Sequence, residues 1–177
     1  SMLYLWAGSL QFDALAAQFV VDGTEPLPLI AMGFVLVGFG FKVSAAPFHF
    51  AAPDAYAGAS SPVAGILATA SKAMGIIGLL RMLLIVASPE ASEDGTVWLT
   101  LLGVLSIITM TWGNIAALGS KNPKRMLAYS SVAHAGYMLA AITAIGAWNW
   151  DASLAGDGGE SAVAVLTALI FHLIVLV

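Results

Sequence analysis

An all-α, polytopic transmembrane helix bundle is the fold class this sequence predicts, and three observations predict it. Of 177 residues, 60% are hydrophobic and only 9% are charged. Mean hydropathy is +0.94. Polar, Gly and Pro clusters divide the chain into apolar runs at 27–50, 61–87, 97–119, 124–147 and 161–177. Each is at or near the roughly 20 helical residues that cross a hydrocarbon core. A shorter apolar stub covers 2–10. The expectation is about five spans plus a terminal stub, forming a single transmembrane domain over 1–177.

The stub begins Ser1-Met2-Leu3-Tyr4. It lacks the basic flank and small-residue cleavage site of a secretory signal and reads as the tail of a helix. The run at 27–50 ends in Pro47-Phe48-His49-Phe50, with Pro53 and Asp54 just beyond. Proline inside a helix removes a backbone hydrogen bond and clashes with the preceding turn, so a broken, hydrated helix is expected here, with 51–60 as a loop. Asn122 and Pro123 open the run at 124–147, Asn as a cap and Pro at the first helical position. Gly33, Gly38, Gly40, Gly75 and Gly78 read as packing residues that let membrane helices approach closely. Gly156 to Glu160 has the spacing of neither a phosphate loop nor a calcium loop and reads as a flexible connector. Short connections make neighbouring spans antiparallel. Both ends cut into apolar runs, so the chain reads as a piece of a longer membrane polypeptide, whether from a split gene or from a cut.

Charge sets the orientation. Lys121, Lys124 and Arg125 cluster in one loop, which assigns that loop, and with it 51–60, to the negative, cytoplasmic or matrix side. The opposite loops, 22–26, 88–96 and 148–160, hold Asp22, Glu25, Glu90, Glu93, Asp94, Asp151, Asp157 and Glu160 without a Lys or Arg. Trp98, Trp148 and Trp150 fall at this boundary as an aromatic belt would. The formal charge is −4 with six Lys plus Arg, so there is no basic surface for nucleic acid. The lipid bilayer is the partner instead. Absence of cysteine excludes disulfides, thiolate nucleophiles, cysteine-bound zinc and iron–sulfur ligation within these residues.

Lys42 and Lys72 stand out because both lie inside apolar runs, about eight residues before the end of one and eleven after the start of the next. At 1.5 Å per residue they sit roughly 12 and 17 Å deep, beyond the about 6 Å that a lysine stem spans. Such a residue must be paired, hydrated or neutral. One reading is a buried ion pair that fixes packing, but no Asp or Glu lies within a complete apolar run. The other is a proton relay: burial favours the neutral amine and a nearby carboxylate the ammonium, so a moving charge loads or unloads a proton. Ser44, Thr69, Ser71, Thr109 and Thr111 could bond water along such a path or bond their own helix backbone. His49 reads either as a shuttle near neutral pH or as a donor to carbonyls freed by the prolines. Asp54 reads as a cap or as the end of an entry path. His134, with Tyr137 nearby, reads either as a packed histidine bonded to another helix or as a relay, and His172 gives no clear reading. The histidines have no metal-ligand spacing, and no nucleophile triad or nucleotide-binding signature is present.

Several stretches resemble a known family. Gly40 to His49, Pro53-Asp54-Ala55-Tyr56, Thr69-Ala70-Ser71-Lys72, Gly113 to Leu118 and Lys124 to Tyr137 resemble, in order and nearly without gaps, the subunit N family of respiratory complex I, which includes mitochondrial NADH dehydrogenase subunit 2. The resemblance implies an antiporter-like membrane-arm subunit with an interrupted helix, of which this chain holds the middle. It implies proton translocation coupled to NADH:quinone electron transfer in an energy-converting inner membrane, mitochondrial or bacterial. Lys42 would be the central lysine, Lys72 the lysine that passes protons onward, and His49 and His134 parts of the polar axis. The tuning glutamate and the exit lysine would lie before Ser1 and after Val177. No cofactor is implied in this chain; NADH, FMN, iron–sulfur clusters and quinone would be bound by other subunits of the complex, its partners. A second polypeptide completing the same channel is a further implied partner. The sequence departs from the family pattern at Ala51, Ala57, Ser60 and His172, where Trp, an acidic or amide residue, Pro and Tyr are usual. Alternatives on the same scaffold are a cation/proton antiporter subunit, a membrane-bound hydrogenase subunit, or a non-conducting structural piece of the arm.

Overall fold

A computed structural model describes residues 2–22, 25–86, 95–150 and 160–175. Glu90, Glu93, Asp94, Asp151, Asp157 and most of the glycine-rich connector lie outside the described residues, as do the side chains of Trp148, Trp150 and Glu160. The described residues form nine helices and no strand: α1 Met2–Ala7, α2 Phe12–Asp22, α3 Pro26–Val43, α4 Ala51–Gly58, α5 Ser61–Ala68, α6 Ala70–Val86, α7 Gly95–Gly119, α8 Pro123–Trp150 and α9 Glu160–Val175. Among the described residues four stretches are long and apolar enough to cross a membrane, at Pro26–Val43, Ser61–Leu83, Trp98–Gly119 and Pro123–Ala147, with a shorter apolar helix at Val163–Val175. The fold is an all-α membrane helix bundle.

The break after α3 comes earlier than the prolines alone suggest. Ser44 adopts the left-handed conformation at φ 64°. Ala45 N–H donates to Gly40 O at 2.7 Å and Ser44 N–H to Phe41 O at 3.2 Å, the paired bonds of a Schellman helix stop. Pro47 then disfavours a helical Ala46, and the Ala46–Pro47 peptide is cis. Ala46 N–H donates to Thr109 Oγ1 of α7 at 3.0 Å, so the broken segment is tied to a neighbouring span.

Two helices occupy stretches expected to be connections. α2 is too short and too polar for a span, but Leu15 and Phe19, four residues apart, are buried and seat it on the bundle. Its Phe12 ring lies 5.2 Å from the Arg81 guanidinium of α6. α4 follows the break, where Ala52 and Tyr56 pack with Ala128 of α8. Its Asp54 forms an ion pair with Arg125, a partner neither sequence reading of Asp54 anticipated.

α5 and α6 make one span with a single irregular residue, Thr69, whose hydroxyl donates to Gly65 O at 2.9 Å. Such back-bonding competes with the helix ladder and bends it. α7 and α8 form a tight hairpin. A Cβ at Gly113 would stand 2.6 Å from Ala133 N, and one at Gly136 2.8 Å from Met110 N. Between them Ser106 Oγ donates to Gly136 O at 2.8 Å. Lipid supplies no hydrophobic drive for helices to associate, so close backbone approach and such bonds hold the hairpin. Its turn is ordered as expected: Lys124 N–H donates to Asn122 Oδ1 at 3.0 Å.

Candidate functional site

Lys72 enters the site from the first turn of α6, just past the irregular Thr69. Its side chain is 2% exposed. Nζ donates to Ser131 O at 2.7 Å and to Ser131 Oγ at 2.6 Å, both on α8. The Tyr56 ring of α4 has its centroid 6.0 Å from Nζ, and the Tyr56 hydroxyl donates to Leu67 O at 3.1 Å. Among the described residues no carboxylate forms an ion pair with Lys72. A serine hydroxyl, a carbonyl and an aromatic face hold this amine, and none of them neutralises a charge.

Lys42 is the next-to-last residue of α3. It was expected about eight residues before the end of its apolar run, beside a break at the prolines, whereas the helix stops one residue later and the side chain is exposed on the surface of this chain. Its stem nevertheless rests on α6: a Cβ at Gly75 would meet Val43 Cγ2 at 2.9 Å and Lys42 Cγ at 3.2 Å. Gly75 is therefore needed for α3 to close on α6. Gly75 lies one turn beyond Lys72, so the Lys42 stem crosses α6 about one turn from Lys72.

His49 is 5% exposed in the broken segment. Its ring stacks on Phe50 at 4.8 Å and meets Trp112 edge-on at 5.9 Å. Nδ1 is buried without a hydrogen-bond partner among the described residues, so that atom serves no carbonyl. His134 is brought to Lys72 by helix spacing, being three residues after Ser131 on the same face of α8. Its Nδ1 lies 3.2 Å from His172 Nε2 on α9, and its ring meets Tyr137 at 5.7 Å. Tyr137 Oη accepts from Asn114 Nδ2 of α7 at 3.2 Å. Lys72, Ser131, His134 and His172 thus form one polar line across α6, α8 and α9, with Lys42 beside its start and His49 apart from it.

The minor candidates divide by simple bonding. Thr69, Thr109 and Thr111 each donate to the carbonyl four residues back, Thr109 also holding Ala46. Ser44 is the buried helix stop. A cleft of about 260 Å³ runs between α4, α5 and α8, from Lys124 and Ser61 to Tyr56, Ala68 and Ala128. Lys124 of the basic loop and Tyr56 both line it, and Lys72 does not. Among the described residues no cluster of three metal-ligating side chains occurs.

A buried lysine on a polar line inside an all-helical membrane bundle coincides with a family match. Residues 1–175 match the family described as NADH:quinone oxidoreductase/Mrp antiporter, TM. The chain belongs to that family. As a member of the NADH:quinone oxidoreductase/Mrp antiporter family it is a multi-pass integral membrane protein. It is similar to NADH-quinone oxidoreductase subunit N 2 of Roseiflexus castenholzii, 43% identical over 167 residues, 92% of this chain and 32% of that one. It is 44% identical over 144 residues to NADH-quinone oxidoreductase subunit N of Rubrobacter xylanophilus, covering 81% of this chain and 29% of that one. Among solved structures it resembles a chain of respiratory complex I from Thermus thermophilus with bound aureothin. The TM-score is 0.65 at 34% identity, covering 99% of this chain and 34% of that one. The chain spans about a third of the length of the curated relatives it matches.

Within this NADH:quinone oxidoreductase/Mrp antiporter member, sequence reasoning missed Ser131, Tyr56 and His172. Ser131 had a signal, its spacing of three from His134 on one helix. His172 had one too, an ionisable residue in an apolar run where the family usually has Tyr, but only tertiary packing shows that it meets His134, and Tyr56 had none.

Proposed function

We propose that this chain is the central part of a subunit of the subunit N type in the membrane arm of respiratory complex I, and that it moves protons while NADH reduces quinone elsewhere in the complex. The carrying observation is Lys72: almost fully buried, held by a hydroxyl and a carbonyl, and without a described carboxylate partner. A membrane lysine in that setting changes its protonation when a neighbouring charge moves.

The chemistry follows from the placement. Protons reach Lys72 from the negative side, where a cleft runs from Lys124 to Tyr56, the residue whose ring lies 6.0 Å from the amine. Lys42 packs on α6 at Gly75, one turn beyond Lys72, and a charge on one lysine disfavours a charge on the other. A carboxylate brought against Lys42 favours its ammonium, which drives the proton from Lys72 toward Ser131 and His134. That carboxylate comes from helices outside these residues, in the same subunit or in a second polypeptide, packed on the exposed face of α3. NADH, FMN, iron–sulfur clusters and quinone belong to other subunits, and the membrane is the energy-converting inner membrane.

Native purification tests the assignment. The chain is expected to co-purify with NADH:quinone reductase activity and the other membrane-arm subunits. Co-purification with a sodium/proton antiporter that lacks NADH oxidation would replace this reading with the antiporter branch of the same family.

A further inference from the structure

Beyond Lys72 the polar line does not stop at the histidine that the sequence singled out. His134 Nδ1 and His172 Nε2 are 3.2 Å apart, with ring centroids at 5.1 Å and planes tilted by 40°. A neutral imidazole carries one donor and one acceptor. A hydrogen-bonded pair therefore keeps one free ring nitrogen at each end, Nε2 on His134 and Nδ1 on His172. The His134 end lies one helix turn from Ser131, which holds the Lys72 amine. The His172 end borders a cleft of about 240 Å³ between α8 and α9, lined also by Tyr137, Ala141 and Leu169. His172 sits in a helix whose other described residues near it are apolar, where an ionisable side chain is costly to keep without a role. The groups around the pair are Lys72 from α6, Tyr137 on α8 and, through the Tyr137 hydroxyl, Asn114 on α7. No described carboxylate bonds to either ring.

We propose that His172 is a further proton-relay residue, taking a proton from His134 and passing it into the cleft between α8 and α9. The inference rests on the proton-moving reading above and extends it by one station. In the step, a proton reaches Nε2 of His134, whose Nδ1–H bond breaks as its proton bonds to Nε2 of His172. The Nδ1–H of His172 then releases its proton to water in the cleft. Both rings end neutral with their tautomers exchanged, one proton having entered and one having left, and rotation of the rings restores the start. A tyrosine at position 172 could hydrogen-bond His134 but, with an ordinary pKa of about 10, would not pass protons this way near neutral pH.

The test uses the assembled complex in sealed vesicles and reads protons moved per NADH oxidised for His172→Phe, His172→Gln and Lys72→Ala. Glutamine keeps a hydrogen bond to His134 without titrating, so it separates relay from packing, and it serves alone if the phenylalanine variant fails to assemble. Loss of the same fraction of pumping in the two His172 variants as in Lys72→Ala is the expected result. Full pumping with glutamine makes the pair structural and overturns the proposal. Full pumping in both His172 variants beside a loss in Lys72→Ala overturns it while leaving the transport reading intact. No loss in any of the three removes the transport reading and the relay with it.

Discussion

Ser131 decides what kind of residue Lys72 is. Hydrogen bonds to a charged group contribute about 1.5–3 kcal/mol each, and Ser131 makes two with one amine. Ser131→Ala removes the hydroxyl and keeps the carbonyl. The expected outcome is normal assembly with fewer protons moved per NADH oxidised, measured by a pH-sensitive dye in vesicles. Ser44 is a second residue with a clear expectation, since a non-glycine left-handed residue costs roughly 1–2 kcal/mol. Ser44→Gly should leave the break in place and raise the thermal midpoint in detergent, and Ser44→Val should lower it. The unusual character of Lys42 and Lys72 was legible in the sequence, because charge inside an apolar run is rare enough to stand out. Their different surroundings were not: burial of Lys72 depends on Ser131 and Tyr56, far away in the chain, and exposure of Lys42 depends on which face α3 turns to its neighbours.

At the scale of the element, apolar runs marked the spans well because a bilayer imposes one length on them. α2 and α4 were invisible to the same reasoning. They are short and polar on one side, and Leu15, Phe19 and Tyr56 become core residues only through contact with other helices. The helix break was legible from Pro47, but its position was set by the left-handed Ser44, which no composition signal marks. The α7–α8 hairpin offers the firmest test of packing. Gly113→Val places a side chain against the Ala133 backbone, and overpacking of this kind costs typically about 1–3 kcal/mol. Heat stability of the purified complex should fall accordingly. By contrast, the Arg125–Asp54 pair has side chains 47% and 73% exposed, and such pairs contribute at most about 1 kcal/mol. Asp54→Asn should barely move the same midpoint.

For the whole molecule, the exposed Lys42 is the feature that asks for more protein. A lysine on an apolar helix face does not sit against lipid at low cost, and Phe34, Val37 and Phe41 are exposed along the same helix. The chain has no cysteine, so Lys42→Cys provides a single probe of that face. In the assembled complex it should resist a lipid-soluble maleimide, and rapid labelling would mean that the face is open. Whether Lys72 carries protons is read from the number of protons translocated per NADH oxidised by vesicles holding the complex with Lys72→Ala. A clear fall is expected, with assembly intact and NADH oxidation by an artificial acceptor unchanged. An unaltered ratio of protons to NADH would contradict a proton-carrying Lys72.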